Sequence, residues 1–467
     1  MQYKSAYIWG LFSKFIPQGI YLLTTIVLAR YLTPEDFGMI GVLSIIFTVA
    51  TVLMDSGLGG SLIKEREISA LDCSSISCFN VFVSILIYSI LFLSADFIEG
   101  IYEIDGLSRV IKALGLVFPI TSVGLVPKSL LQRRIEFKTI FWNYLLGVFI
   151  GSIVSIIVAI KGGGVYALVA YQLITNAVNV TANIICSKYN FSLKLSFSSL
   201  KRLLPFGIFT SIISIIDTIY ENLMTALVGK FLNVRQAGYL YQGKRIENTL
   251  STSLAGAIGV VTFPILTKHK DDLSVFNREA LSTLKNITAL SFPILITVAV
   301  FSKEIIVFLF GEKWIASGFY LEMLTFAGLF LIIETLIRNF IKALCQVKKL
   351  MYATIIKRLL GIAILILSMI IKPDFIVFGY IISSFIGYVI NSILFIKLSR
   401  IKVFSLITAT LSSFVFCIAY YILFKALTFF GFKLLFKVLI SVAILALYYF
   451  IALPLTGINI LSIIKRK

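Results

Sequence analysis

Long apolar runs, repeated along nearly the whole chain, constrain this sequence more than any other feature. A run of about 20 apolar residues is long enough to cross the hydrocarbon core of a bilayer as a helix. We identify fourteen such runs, at residues 7–30, 37–62, 75–95, 110–131, 139–160, 165–186, 204–229, 237–267, 286–310, 317–344, 352–371, 375–396, 403–424 and 434–458. The pattern predicts an all-α polytopic membrane protein with about 14 transmembrane helices.

The composition supports the same class of protein. Hydrophobic residues make up 59% of the chain and charged residues only 14%, whereas soluble domains carry about 25% charged residues. The net charge of +20 does not indicate nucleic-acid binding, because the basic residues cluster at the ends of the apolar runs. The five cysteines form no CxxC pair and His269 is the only histidine, so we predict no metal site and no bound cofactor.

The distribution of lysine and arginine predicts the orientation in the membrane. With the N-terminus inside, 26 of the 42 basic residues fall in cytoplasmic segments and 11 fall outside, as the positive-inside rule requires. Both termini are therefore predicted to be cytoplasmic. The first apolar run contains Lys14 and Gln18 and lacks a cleavage motif, so it is predicted to be a retained span.

An internal repeat divides the chain. Residues 29–38 align with residues 229–238 at an offset of 200, matching a basic residue, a leucine and a glycine. Transporters are often built from such repeated halves. We predict a six-helix bundle at residues 1–200, a second at 201–400, and two additional helices at 401–467.

Polar residues recur on one face of several predicted helices, at equivalent places in the two halves. The stripes consist of Lys14, Gln18, Tyr21 and Thr25 in the first run, Ser44, Thr48, Thr51 and Asp55 in the second, Ser214, Thr218, Glu221 and Thr225 in the seventh, and Lys244, Asn248 and Ser251 in the eighth. Small hydroxyl residues alone are explained by close helix packing. Charges within the stripes favour a water-filled cavity instead.

Charged residues inside the spans are the candidate site residues, because each costs about 3 kcal/mol to insert at a helix centre. Lys14, Lys244 and Arg245, with Gln18 and Asn248 beside them, would suit an anion such as a pyrophosphate. Three acidic residues would hold a coupling proton or sodium ion, or serve as counter-ions to these cations: Asp55, Asp217 and Glu221. Glu334 and Arg338 have the spacing of a structural ion pair, and a gating role is the alternative.

Several segments resemble one family of transporters. These are residues 28–38 (LARYLTPEDFG), 55–59 (DSGLG), 131–138 (LQRRIEFK) and 310–314 (FGEKW). They are similar to segments of Wzx-type flippases for O-antigen and exopolysaccharide repeat units, in the multidrug/oligosaccharidyl-lipid/polysaccharide exporter superfamily.

The resemblance implies two six-helix bundles in the bacterial inner membrane, facing a central cavity that opens alternately to each side. The implied cargo is an undecaprenyl-pyrophosphate-linked oligosaccharide, and the pathway's polysaccharide polymerase and glycosyltransferases are possible partners. A cation-coupled drug exporter of the same fold is an alternative, but the basic cavity candidates and the two extra spans argue against it. A membrane polymerase or ligase would need a large outer loop, and the predicted connections are all under 20 residues.

Overall fold

All regular structure in the described part of the chain is helical. The computed structural model describes the backbone of residues 2–55, 58–65, 67–192 and 194–452, and the side chains of these residues except 2–8, 10–15, 204–213, 252–265, 347 and 451–452. Within these ranges, ten segments are long and apolar enough to cross a membrane. The predicted all-α polytopic fold is confirmed.

Seventeen α-helices lie in the described ranges. In chain order they are α1 (Gln2–Tyr31), α2 (Pro34–Asp55), α3 (Leu58–Lys64), α4 (Ala70–Tyr102), α5 (Leu107–Leu114), α6 (Val117–Arg133), α7 (Phe137–Ile160), α8 (Tyr166–Ser187), α9 (Phe197–Phe231), α10 (Val234–Lys268), α11 (Leu273–Val300), α12 (Ser302–Phe310), α13 (Ser317–Ala343), α14 (Val347–Ile371), α15 (Ile376–Ser399), α16 (Val403–Phe429) and α17 (Leu434–Leu447). Besides the ten apolar segments, α1, α9 and α10 contain 30, 35 and 35 residues. At about 1.5 Å per residue each exceeds the hydrocarbon thickness. With the shorter apolar segment Leu434–Phe450, the helices are consistent with the predicted spans.

Some predicted spans are broken helices. The predicted fourth span consists of α5 and α6, and the break lies at Gly115 and Leu116. Pro119 cannot donate a hydrogen bond to the carbonyl of residue 115, and its ring crowds that position. A Cβ at Gly115 would also lie 2.8 Å from the ring of Tyr88. The carbonyl of Gly115 instead accepts a hydrogen bond from the backbone N–H of Phe118 at 3.0 Å, three residues further on.

The chain divides into two compact units. Unit 1 comprises Met1–Tyr241 and Leu309–Trp314, and unit 2 comprises Gln242–Phe308 and Ile315–Lys467. In unit 1, the Trp314 indole donates to the carbonyl oxygen of Ala29 at 3.1 Å, and Lys313 donates to the carbonyl of Leu32 at 2.7 Å. These bonds explain why residues 309–314 associate with the first helices. The bundle boundaries predicted at residues 200 and 400 remain predictions.

The repeated segments contact each other within unit 1. A Cβ added at Gly38 would collide with the backbone carbonyl of Val234, and a Cβ added at Gly238 would collide with that of Pro34. Small residues allow helix backbones to approach this closely. Each contact is the counterpart of the other after a shift of 200 residues in numbering. The first turns of α2 and α10 therefore pack reciprocally.

The apolar core of unit 2 is formed around α11, α13 and α16. Phe292 and Leu295 of α11, Ile333 of α13 and Phe424 of α16 are almost completely buried in one cluster. The predicted appendage at residues 401–467 therefore includes a helix, α16, that packs into the core of unit 2.

Candidate functional site

A buried ion pair joins three helices of unit 2. Glu334 of α13 pairs through Oε1 with Nζ of Lys357 on α14, and both side chains are at least 95% buried. Asn391 of α15 donates from Nδ2 to the same carboxylate oxygen at 3.3 Å. Gly387 makes room for the acid, since an added Cβ would lie 2.9 Å from Glu334 Oε2. The carboxylate thus fastens α13, α14 and α15 together.

The partner of Glu334 differs from the one expected. Spacing along α13 indicated Arg338, but the structure pairs Glu334 with Lys357 of the next helix. Arg338 is half-buried one turn further along α13. Both Arg338 and Arg358 lie within electrostatic range of Lys357. An ion pair across two helices gives Glu334 a counter-charge inside the bundle, whereas an i, i+4 pair would leave Lys357 without this carboxylate.

Lys244 lies inside unit 2 beside an acid of its own helix. It is 9% exposed, and its ammonium lies 5.8 Å from the centre of the Tyr380 ring. Glu247 is 1% exposed and accepts a hydrogen bond of 2.6 Å from Ser251. Gly328 of α13 lies against this acid, with an added Cβ 2.7 Å from Oε1. Lys244 is therefore a buried cation with an aromatic face and a carboxylate nearby.

A further buried carboxylate connects α13 to α16. Glu322 accepts hydrogen bonds from the Tyr421 hydroxyl at 2.5 Å and pairs with Nζ of Lys425 at 2.7 Å. The acid is buried while the lysine side chain is 53% exposed. Helix α13 thus carries two buried acids, each neutralised by a lysine from another helix.

Unit 1 contains a polar cavity between α1, α7 and α8. Its volume is about 410 Å³, and its walls include Gln18, Tyr21, Tyr144, Tyr171, Gln172 and Asn176. The rings of Tyr21 and Tyr171 stack with centres 4.7 Å apart. The structure thus places Gln18, a predicted substrate-binding residue, on the wall of a cavity.

The other predicted site residues are distributed over several helices. The side chain of Lys14 lies outside the described residues. Asp55, the last residue of α2, is exposed, and its carboxylate accepts a hydrogen bond from the backbone of Gly59. On α9, Asp217 is half-buried and Glu221, one turn later, is exposed. On α10, Arg245 is half-buried and Asn248 is exposed.

Two sets of polar residues were missed by the sequence analysis. Lys357 and Arg358 were assigned to a cytoplasmic segment, but they are 4% and 8% exposed within α14. The stripe Gln172, Asn176, Asn179 and Asn183 on α8 was also missed, although its i, i+4, i+7, i+11 spacing is readable in the sequence. Asn143 donates to Asn183 at 2.9 Å, and Asn183 donates to Asn179 at 3.0 Å.

No metal centre is evident in the part of the chain that the structure describes. Within these residues, no group of three or more His, Cys, Asp or Glu side chains is arranged to hold a metal ion.

The helices, the buried charges and the polar cavity define a multi-spanning helical membrane protein. Sequence comparison places this protein in a family. Residues 27–318 match the family described as "Polysaccharide biosynthesis protein". The match covers more than half of the chain, and the chain belongs to this family.

The chain is also similar to two curated relatives in sequence and to one solved structure in fold. The chain is 24% identical over 377 residues to an uncharacterized membrane protein in the cps region of Klebsiella pneumoniae, covering 76% of this chain and 77% of that protein. It is 27% identical over 323 residues to the lipopolysaccharide biosynthesis protein WzxC of Escherichia coli K12, covering 69% of this chain and 66% of WzxC, just under two thirds. The fold is similar to that of the lipid II flippase MurJ in an inward closed conformation, with a TM-score of 0.73, 17% identity, and coverage of 96% of this chain and 99% of MurJ.

Proposed function

We propose that this protein is a flippase that moves undecaprenyl-pyrophosphate-linked oligosaccharide repeat units from the cytoplasmic to the periplasmic leaflet by alternating access, for surface polysaccharide biosynthesis. The observation that carries the proposal is the family match over residues 27–318. The name of the relative WzxC refers to lipopolysaccharide biosynthesis, and the MurJ-like fold supports transport of a lipid-linked sugar.

The small size of the connections supports a transporter rather than an enzyme. Among the described helices, the longest connection runs from Lys188 to Ser196. A polymerase or ligase needs an extramembrane platform on which to align two sugar substrates, and these connections offer none. Polymerase and glycosyltransferases of the same pathway are proposed as separate partners.

Location and orientation are part of the proposal. We place the protein in the bacterial inner membrane with both termini in the cytoplasm, because the lysine and arginine residues favour that orientation. The repeat units would then be received where soluble sugar nucleotides are available and released on the opposite side.

Cationic side chains are proposed to receive the pyrophosphate. Lys14, Lys244 and Arg245 are the candidates, with Gln18 and Asn248 as hydrogen-bonding neighbours. The burial of Lys244 supports its role, because a cation shielded from water attracts a phosphate oxygen more strongly than an exposed one does. The protein is proposed to need no cofactor. A proton or sodium gradient would bias the transport cycle through Asp55, Asp217 or Glu221.

Inverted membrane vesicles provide the direct test. Labelled lipid-linked oligosaccharide in the outer leaflet of these vesicles is accessible to added periodate, and flipping into the lumen protects it. We expect protection to develop only in vesicles that contain the protein. The double variant Lys244→Gln/Arg245→Gln should accumulate in the membrane but give little protection and little surface polysaccharide. Equal protection with and without the wild-type protein would contradict the proposed function.

A further inference from the structure

The cavity between α1, α7 and α8 has the chemistry of a sugar-binding site. Its volume of about 410 Å³ lies in the range of sites for small organic ligands, about 300–1,000 Å³. All eight described residues that line it are uncharged, and three of them are tyrosines. These side chains provide no charge that would hold a phosphate or a cation.

The exposure of Tyr144 indicates that the cavity faces the inside of unit 1 rather than lipid. Tyr144 lies on the same face of α7 as Phe141 and Val148, which are 3% and 0% exposed. The opposite face carries Leu146 and Ile153, which are 49% and 45% exposed and suit contact with lipid. Tyr144 is nevertheless 38% exposed. A tyrosine on an inward face with this exposure borders an open space.

The walls of the cavity combine hydrogen-bonding amides with aromatic faces. Gln18 comes from α1, and Gln172 and Asn176 come from α8. Each carboxamide carries both donors and an acceptor, which matches the mixed donor and acceptor character of a sugar hydroxyl. Asn176 donates to the backbone carbonyl of Gln172 at 2.8 Å, which holds its amide group in one orientation. The site is thus partly ordered before a ligand arrives.

Polar walls also exclude the common alternative occupants. A prenyl chain would offer no hydrogen-bonding groups to the amides of the cavity wall, and an apolar occupant against polar side chains is unfavourable. A phosphate would meet no cation among the residues that line the cavity. A neutral sugar ring needs no cation. Its hydroxyls can bond to the amides while its C–H faces pack on tyrosine rings.

We propose that this cavity binds a neutral sugar ring of the oligosaccharide cargo, with the exposed ring of Tyr144 as the stacking surface and Gln172 as a hydrogen-bonding partner. The inference rests on the proposed function and assigns the sugar part of the cargo to unit 1. The site recognises the sugar separately from the pyrophosphate.

The test compares two forms of one ligand. Lipid-linked oligosaccharide purified from the host is used intact and after periodate oxidation, which opens sugar rings at vicinal diols and leaves the pyrophosphate and prenyl chain unchanged. Dissociation constants are measured with the full-length protein in detergent. We expect wild type to bind the intact lipid at least about tenfold more tightly than the oxidised lipid, the equivalent of a few hydrogen bonds.

Variants test whether the preference for the intact lipid arises in this cavity. Tyr144→Ala and Gln172→Ala should bring the ratio of the two dissociation constants to within about twofold, without weakening the oxidised lipid. Tyr144→Phe should keep most of the preference for the intact lipid, because it keeps the ring. Tyr166→Ala is the matched control: this residue lies on α8, is 42% exposed and lies outside the cavity. If Tyr144→Ala does not fold, Gln172→Ala decides the question.

Each result has one meaning. A wild-type protein that binds both lipids equally would overturn the sugar site and leave the flippase proposal standing. An unchanged preference in the alanine variants would also overturn it. A wild-type protein that binds neither lipid would contradict the proposed function itself.

Discussion

Glu35 and Arg235 occupy equivalent positions in the two sequence repeats and form an ion pair, with 3.2 Å between Oε1 and Nε. The same reciprocity holds at Gly38 against Val234 and at Gly238 against Pro34. In a two-fold symmetric contact, residue i of one partner meets residue j of the other and the reverse. The first turns of α2 and α10 follow this rule within one chain. The contact between residues 34–38 and 234–238, here called the joint, therefore has local pseudo-two-fold symmetry.

The first prediction concerns the glycines of this joint. Gly38→Ala and Gly238→Ala each place a methyl group against a backbone carbonyl, and a carbonyl of a packed helix cannot rotate away. We expect each variant to lose about 1–3 kcal/mol of stability, measured as the thermal midpoint of the detergent-solubilised protein. Gly100→Ala is the control, because nothing lies within 4 Å of the added methyl. A midpoint equal to that of the control would contradict the close contact.

The second prediction concerns the buried pair of Glu334 and Lys357. Removing one partner by Glu334→Ala or Lys357→Met leaves an uncompensated charge, at a cost of about 3–5 kcal/mol. The double variant should be less destabilised than the sum of the two, which a double-mutant cycle of unfolding measurements detects. Arg338→Gln, one turn away on the same helix, should cost clearly less. Strictly additive effects would mean that the two side chains do not interact.

The third prediction concerns orientation. Single cysteines at Asp105 or Gly163, in a background without native cysteines, should react with an impermeant thiol reagent applied to intact spheroplasts. Cysteines at Arg134 or Lys194 should react only after permeabilisation. All four positions lie in connections between described helices. Labelling of Arg134→Cys in intact spheroplasts would reverse the proposed topology.

The fourth prediction concerns energy coupling. Asp217 and Glu221 lie one turn apart on α9, so a single ion could interact with both. Asp217→Asn and Glu221→Gln should leave downhill movement of the cargo intact and remove its response to an imposed proton or sodium gradient in vesicles. Glu65→Gln, between α3 and α4, should leave the response unchanged. A full gradient response in the Asp217 and Glu221 variants would move the coupling role to another residue.

The sequence was sufficient for the fold because hydropathy alone defines membrane-spanning helices. It was less informative about the charges. The spacing of Glu334 and Arg338 suggests a pair within one helix, but the partner that the fold supplies is Lys357, 23 residues away. Choosing between them requires knowing which face of α14 meets α13. Lys357 and Arg358 were also misassigned because basic residues close to a predicted span boundary are normally cytoplasmic.

The cavity in unit 1 was predictable only in part. Gln18 was singled out because it shares a helix face with a lysine. The amides of α8 carry no charge and were passed over, although their spacing marks one face of that helix. Tyr144 shares no regular polar stripe with other residues of α7, and only its neighbours in space reveal that it borders a cavity.

The pairing of Lys357 with Glu334 has a consequence for how the protein is made. Lys357 and its neighbour Arg358 lie near the middle of α14, where each basic residue costs about 3 kcal/mol to insert alone. Helix α13 is synthesised first and brings the carboxylate of Glu334 into the membrane ahead of them. The two helices therefore enter the bilayer more favourably as a hairpin than one after the other. The order of synthesis ensures that the carboxylate is already present when the lysine is inserted.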